Sequence, residues 1–235
     1  MYYLLGIDDT DSPELSDTPS FAYSLACQLE SKSLARLVNI SCHQLLQHPS
    51  ISHTKNNVCC CIFLDTEEIR VREIDLVCRE VLHHECAVKS NPGYALAAWN
   101  QFDAELVMWG KNAKTTLLDR KQCLSIGRKH NIAIAGIMGS GQGVIGALAA
   151  IGLRYEGNDG WISWMPGLSA LDGIYTQTQL AQMIHFDLIE SARHKRPALE
   201  DRIQINAPVH PLLKDGRIVL PVTLSKKGSD FEWQN

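Results

Sequence analysis

The stretch Gly6-Ile7-Asp8-Asp9-Thr10-Asp11-Ser12 puts three carboxylates and two hydroxyls within five residues. It follows directly on Tyr2-Tyr3-Leu4-Leu5, a short apolar run that reads as a buried strand stopping at a sheet edge. In open α/β sheets that edge is where ligands bind. Clustered carboxylates repel one another, and desolvating them without a partner is costly. A hard cation such as Mg²⁺, held by Asp8, Asp9 and Asp11 and carrying phosphate oxygens, relieves both problems. The other reading of the same residues is an Asp/Ser turn that caps the next helix.

Three further stretches carry chemistry. Gly139-Ser140-Gly141-Gln142-Gly143 follows a predicted strand and opens a helix, which offers free N–H groups and a positive helix end to an anion. It lacks the Gly-Lys-Ser/Thr of a Walker loop, and a flexible lead-in to the helix is the alternative. Ser50 to Asn57 is polar and precedes a predicted central strand; Lys55 there reaches a phosphate as a point charge or stays a solvated loop lysine. His83-His84-Glu85-Cys86 holds metal-ligand types, but adjacent residues of a helix point to different faces and chelate poorly.

The elements that must position these groups follow from periodicity. Thr18 to Lys32 has helical spacing at Phe21, Ala22, Leu25, Ala26 and Leu29, capped by Asp17 or Thr18 with Pro19 in the first turn. Leu34 to Leu46 and Val58 to Leu64 read as strands, the second central, with Cys59 and Cys61 facing one way and Cys60 the other. Glu67 to His84 reads as a helix with Ile69, Ile74, Val77, Cys78, Val81 and Leu82 inward. Ser90-Asn91-Pro92-Gly93 is a turn before the short apolar run Tyr94 to Ala98. Leu117 to His130 is a predicted helix, Ile132 to Met138 a strand, and Val144 to Ile151 a helix of small residues. The tail reads as a strand at Trp161 to Trp164, a helix over Thr178 to Ala192, and strands near Ile203 and Ile218. The expectation is an α+β chain of two modules, 1–138 and 139–235, hinged near Gly139.

With 235 residues, 45% of them hydrophobic and 20% charged, the chain is ordinary globular material with a real core. A net charge of −4 advertises no nucleic acid, so a basic face would have to be local. No apolar run approaches the roughly 18 residues of a membrane span, and Met1 leads into a strand without a basic segment. Eight cysteines without a Cys-x-x-Cys pair suit reduced, buried residues in a cytoplasmic protein, with neither disulfide framework nor structural zinc.

Taken in order, the Gly6–Ser12 motif, Thr18, Ser90-Asn91-Pro92-Gly93 and the run Gly139 to Gly152 resemble the isoleucine-tRNA 2-agmatinylcytidine synthetase (TiaS) family. The likeness covers about residues 1–155 and fades after them. It implies the catalytic half of that family, a kinase-like domain followed by a ferredoxin-like module, without its OB-fold or zinc ribbon. It implies ATP and Mg²⁺ as cofactors, and phosphorylation of a cytidine carbonyl that an amine then displaces. On this resemblance Asp8, Asp9 and Asp11 hold metal and phosphate, and Thr18 is the phospho-acceptor. Thr10, Ser12, Lys55, Asn91, Gly93, Gly139, Ser140, Gly141 and Gly143 surround the nucleotide.

The chain also departs from the family. The Cys-Thr-Thr pattern appears as Asp17-Thr18-Pro19, and the Lys-Thr-Arg-Gly run as His53-Thr54-Lys55-Asn56-Asn57, with Lys55 kept and the arginine lost. With the OB-fold and zinc ribbon of the family not expected here, the expected acceptor is a small amine or a nucleoside-like amide. The alternatives are tRNA modification with a separate RNA-binding subunit, or a nucleotide sensor without chemistry. A homodimer is a further expectation; a membrane partner is not.

Overall fold

The structure, a computed structural model, describes residues 1–10, 17–51, 56–87, 89–101, 103–227 and 230–235. The N-terminal apolar run forms strand β1 (Tyr2–Asp8). It pairs antiparallel with β3 (Val58–Asp65) on one side and β4 (Gly93–Ala98) on the other. β2 (Arg36–Gln44) extends the sheet beyond β3, and β5 (Ala133–Gly136) beyond β4, giving the order β5-β4-β1-β3-β2.

Helices cover both faces of this sheet, so β1 and β3 are apolar without alternation. One face carries α1 (Thr18–Ser31) and α2 (Val71–Glu85), where the Tyr94 hydroxyl bonds Asp75. The other carries α5 (Val144–Glu156), flanked by α3 (Ala104–Ala113) and α4 (Arg120–Lys129). Cys59 and Cys61 point to the α5 side as expected. Cys60 points away, its Sγ 2.8 Å from that of Cys42. Glycine makes the closest helix–sheet approach possible: a Cβ on Gly6 would lie 2.0 Å from the Ala147 carbonyl oxygen.

The helix ends follow the capping chemistry of the sequence. Asp17 caps α1 by accepting from the Ser20 amide at 3.0 Å, and Asp119 caps α4 through the Gln122 amide. The second helix begins differently from the expectation. Glu68–Arg70 is a 3-10 turn, so Ile69 falls out of register with α2 and is 78% exposed rather than inward. Helix α3, capped by Asp103, is an element the sequence reading did not anticipate.

The chain divides into two units, Met1–Glu156 and Gly157–Asn235. The expected break at Gly139 therefore lies inside the first unit. The reason is α5: almost every residue from Val144 to Tyr155 is buried, and the helix belongs to the core of the sheet that precedes it.

The second unit has its own core around Ile162, Leu180, Ile203, Ile205 and Leu220. Its strands are β6 (Trp161–Trp164), β7 (Gly173–Thr176), β8 (Leu188–Glu190), β9 (Arg202–Ile205), β10 (Leu212–Lys214), β11 (Arg217–Pro221), β12 (Thr223–Lys227) and β13 (Asp230–Gln234). They pair in the orders β6-β10-β11-β8 and β12-β13-β9-β7. The predicted helix over 178–192 is only α6 (Gln177–Met183), because Ile184 turns extended and the chain enters β8. A ferredoxin-like βαββαβ order requires two helices; among the described residues of this unit α6 is the one α-helix. The chain as a whole is α+β, as its sequence indicated.

Candidate functional site

At the end of β1 the sheet stops and the carboxylates begin. Asp8 is the last strand residue and is buried; Asp9 takes φ +56°, a left-handed conformation that Asp tolerates better than most residues, and is half-buried. The Asp8 carboxylate lies against the first turn of α5. A Cβ on Gly146 would sit 1.9 Å from Asp8 Oδ2, so only glycine leaves room for it. The positive end of the helix favours a negative charge there.

The start of α5 is held from three sides. Arg120 Nε donates to the Gly141 carbonyl at 3.2 Å, Cys123 Sγ to that of Val144 at 3.1 Å, and Trp109 Nε1 to that of Ile145 at 3.1 Å. Burial pushes the Cys123 thiol up to about 12, so it stays a neutral donor. Asn91 ties the Ser90–Gly93 turn to the glycine loop. Its Oδ1 accepts from the Ser140 amide at 2.8 Å and hydroxyl at 3.0 Å, and its carbonyl accepts from the Gly143 amide at 3.0 Å. The Gly141 amide donates to the Met138 carbonyl. Three loop amides expected to face an anion are thus used within the protein, and Asn91 and Ser140 brace the loop.

Beside Asp8 opens a cavity of about 250 Å³. Its polar lining comes from Asp8, Asp9, Ser50, Asn57, Thr116 and Gln142. Its apolar lining includes Leu45, Val58, Ala113, Leu117, Leu118 and Ile145. Gly143 and Gly146 complete the wall. Of the residues singled out in the sequence, Asp8, Asp9 and Gly143 line this space; Thr10, Thr18, Asn91, Gly93, Gly139, Ser140 and Gly141 do not. Thr10 Oγ1 donates to Thr18 Oγ1 at 3.2 Å, and both residues are buried. Asp11, Ser12 and Lys55 lie outside the described residues.

The apolar wall from the end of α3 was missed. Leu106, Trp109, Gly110 and Ala113 carry the helical spacing that would have revealed α3, but nothing in Thr116-Leu117-Leu118 marks it as a wall. The Asp103, Glu105 and His130 cluster, also missed, is an ion-pair network: His130 Nε2 and Lys129 Nζ each lie 2.7 Å from Glu105 Oε2.

No protein-family model and no curated protein matches the chain. Solved structures do. Apo TiaS, a tRNA agmatidine synthetase, matches at 25% identity and a TM-score of 0.56 over 65% of this chain and 35% of its own. TiaS in complex with tRNA and ATP matches at 26% and 0.57 over 65% and 36%. A tRNA fluorescent labelling enzyme matches at 26% and 0.55 over 65% and 36%. The likeness read from the Asp-rich and glycine motifs is thus a likeness of fold as well, to TiaS structures of which this chain spans about a third of the length.

Proposed function

We propose that this chain binds ATP at the Asp8 cavity and uses it to modify a tRNA nucleoside, activating a carbonyl for attack by an amine. The observation that carries this reading is the cavity itself, with two consecutive carboxylates on one part of its lining and an apolar wall on another. The space is a little below the roughly 300–1,000 Å³ usual for ligand pockets, enough for a nucleoside-sized group. The likeness to a structure solved with tRNA and ATP favours a tRNA acceptor over the free small molecule that the sequence suggested.

The donor set at Asp8 and Asp9, carboxylate oxygens alone, fits Mg²⁺, with Asp11 as a third ligand. A Mg²⁺ bound there would offset the charge of the phosphates. The chain's own residues orient. Only a glycine at 146 leaves room for the Asp8 carboxylate against the start of the helix, where its charge faces the cavity. Leu45, Val58, Leu118 and Ile145 exclude water from one wall. Asn91, Ser140, Gly139, Gly141 and Gly93 act by keeping the helix start in position, and Lys55 and Ser12 supply further polar contacts to phosphate. Thr18 is the proposed phospho-acceptor, and phosphorylating it requires its buried hydroxyl to leave Thr10. The free, mostly buried thiols suit a reducing, cytoplasmic setting, and among the described residues no helix is long and apolar enough to cross a membrane.

Calorimetric titration with a non-hydrolysable ATP analogue, with and without Mg²⁺, tests the site. Wild type should bind with Mg²⁺ dependence. Asp8→Asn, which keeps the shape and removes the charge, should weaken that binding at least tenfold, about 1.4 kcal/mol. Equal binding by both proteins would overturn the assignment of Asp8. ATP turnover with a tRNA transcript and an amine tests the chemistry; binding without turnover under any acceptor would leave a sensor.

A further inference from the structure

The acidic net charge of the chain conceals a concentrated basic turn. Between β8 and β9 run Ser191-Ala192-Arg193-His194-Lys195-Arg196, four basic residues in succession, all of them exposed. Charge runs of this kind are usually solvated and loose, but this one is built. The Ser191 amide donates to the Lys195 carbonyl at 2.8 Å, and the His194 amide to the Ser191 carbonyl at 2.9 Å. Ser191 Oγ accepts from the Lys195 amide at 3.1 Å, and His194 takes φ +57° to close the turn.

Under the turn sits Glu190, only 5% exposed, with Lys214 at 3.3 Å, His194 at 3.4 Å and Arg196 at 3.5 Å. Burial pushes its carboxyl up, yet Lys214, His194 and Arg196 together hold it below the ordinary carboxylate range, so it stays ionised. One carboxylate therefore anchors two cations, Lys214 and Arg196, and the His194 imidazole. Arg193 and Lys195 have no carboxylate partner among the described residues. Four Lys and Arg side chains (Arg193, Lys195, Arg196 and Lys214) against the one carboxylate of Glu190 leave a surplus of three positive charges. A protein that wanted only a stable turn had no need of Arg193 and Lys195.

We infer that the turn Ser191–Arg196, anchored on Glu190, is a binding surface for the phosphate backbone of RNA. The inference rests on the proposed tRNA acceptor and assigns part of its grip to the second unit. The chemistry is sequence-independent: guanidinium and ammonium groups on phosphate oxygens, releasing counterions. It also supplies the local basic face that the acidic composition demands of an RNA binder.

The test is fluorescence anisotropy of a labelled tRNA transcript, and of an unrelated RNA of equal length, between 50 and 200 mM salt. The variant is Arg193→Ala/Lys195→Ala, whose exposed side chains carry no bond that the fold needs. The charge-matched control is Arg72→Ala/Lys89→Ala, two exposed residues of the first unit. Losing two phosphate contacts should weaken binding of both RNAs roughly tenfold or more, and flatten the log–log salt slope by about 1.5. The control should bind like wild type, and all three proteins should bind the ATP analogue alike. If wild type binds RNA and the variant matches it in affinity and slope, the turn is not the surface, while the tRNA reading stands. An equal loss in the control would reduce the effect to net charge and overturn the assignment. If wild type binds neither RNA, the turn and the tRNA acceptor fall together.

Discussion

A methyl group at Gly146 would lie 1.9 Å from Asp8 Oδ2 and 2.5 Å from its Cγ, so a Gly146→Ala chain must move either the carboxylate or the helix. Overpacking of this kind costs about 1–3 kcal/mol. Gly146→Ala should lower the unfolding free energy measured in urea by that amount and weaken the ATP analogue at least tenfold, since the displaced group is the one assigned to the cation. Unchanged affinity in a destabilised protein would mean that the position of Asp8 does not matter for binding. That Asp8 and Asp9 stand where the sheet ends was legible in the sequence, because an apolar run that stops in Gly and Asp marks the end of a strand. The role of Gly146 was not, because a small residue in a helix looks the same whether it faces a helix, a strand or a carboxylate.

At the scale of elements, capping chemistry and apolar spacing account for most of what formed. Asp17 illustrates both how far this goes and where it stops. It departs from the TiaS pattern, and in the structure it caps α1 through the Ser20 amide. Asp17→Ala should therefore cost about 1 kcal/mol in chemical denaturation. A negligible cost would free Asp17 for a role at Thr18. Ile69 shows the limit of periodicity, since a 3-10 turn rotates the pattern by tens of degrees without altering its composition. The glycine at 110, a weak helix former by propensity, sits in α3 for close packing: a Cβ at that position would lie 2.9 Å from the Leu153 amide nitrogen.

For the whole molecule, the first unit buries its thiols as hydrophobic residues, and this makes its stability depend on pH. Burial pushes Cys61 and Cys123 up to about 12 and moves Cys60 and Cys78 in the same direction, from an ordinary value near 9. The sign follows from linkage: below pH 9 both folded and unfolded thiols are neutral and nothing is lost. Above it the unfolded chain ionises while the folded one does not, so stability falls as pH rises from about 9 towards 12. Each such thiol costs up to about 1.4 kcal/mol per pH unit. Urea midpoints at pH 8 and pH 10 should differ accordingly, and native alkylation at pH 8 should reach Cys27, the half-buried thiol, before the rest. Rapid alkylation of Cys60 or Cys61 would contradict the closed sheet.

The strands β1 and β3, helices α1 and α2, and the carboxylates at the end of β1 follow from local pattern and cap chemistry, which act over a few residues and are written in consecutive positions. The boundary after Glu156, the use of loop amides by Asn91, the apolar wall from α3 and the reach of Lys214 to Glu190 depend on residues tens of positions apart. Only the tertiary structure decides them, because each is a matter of which buried surfaces and charges meet. A glycine loop with free amides and one whose Ser140 and Gly143 amides are already donated have the same local sequence; what separates them is whether Asn91 stands opposite.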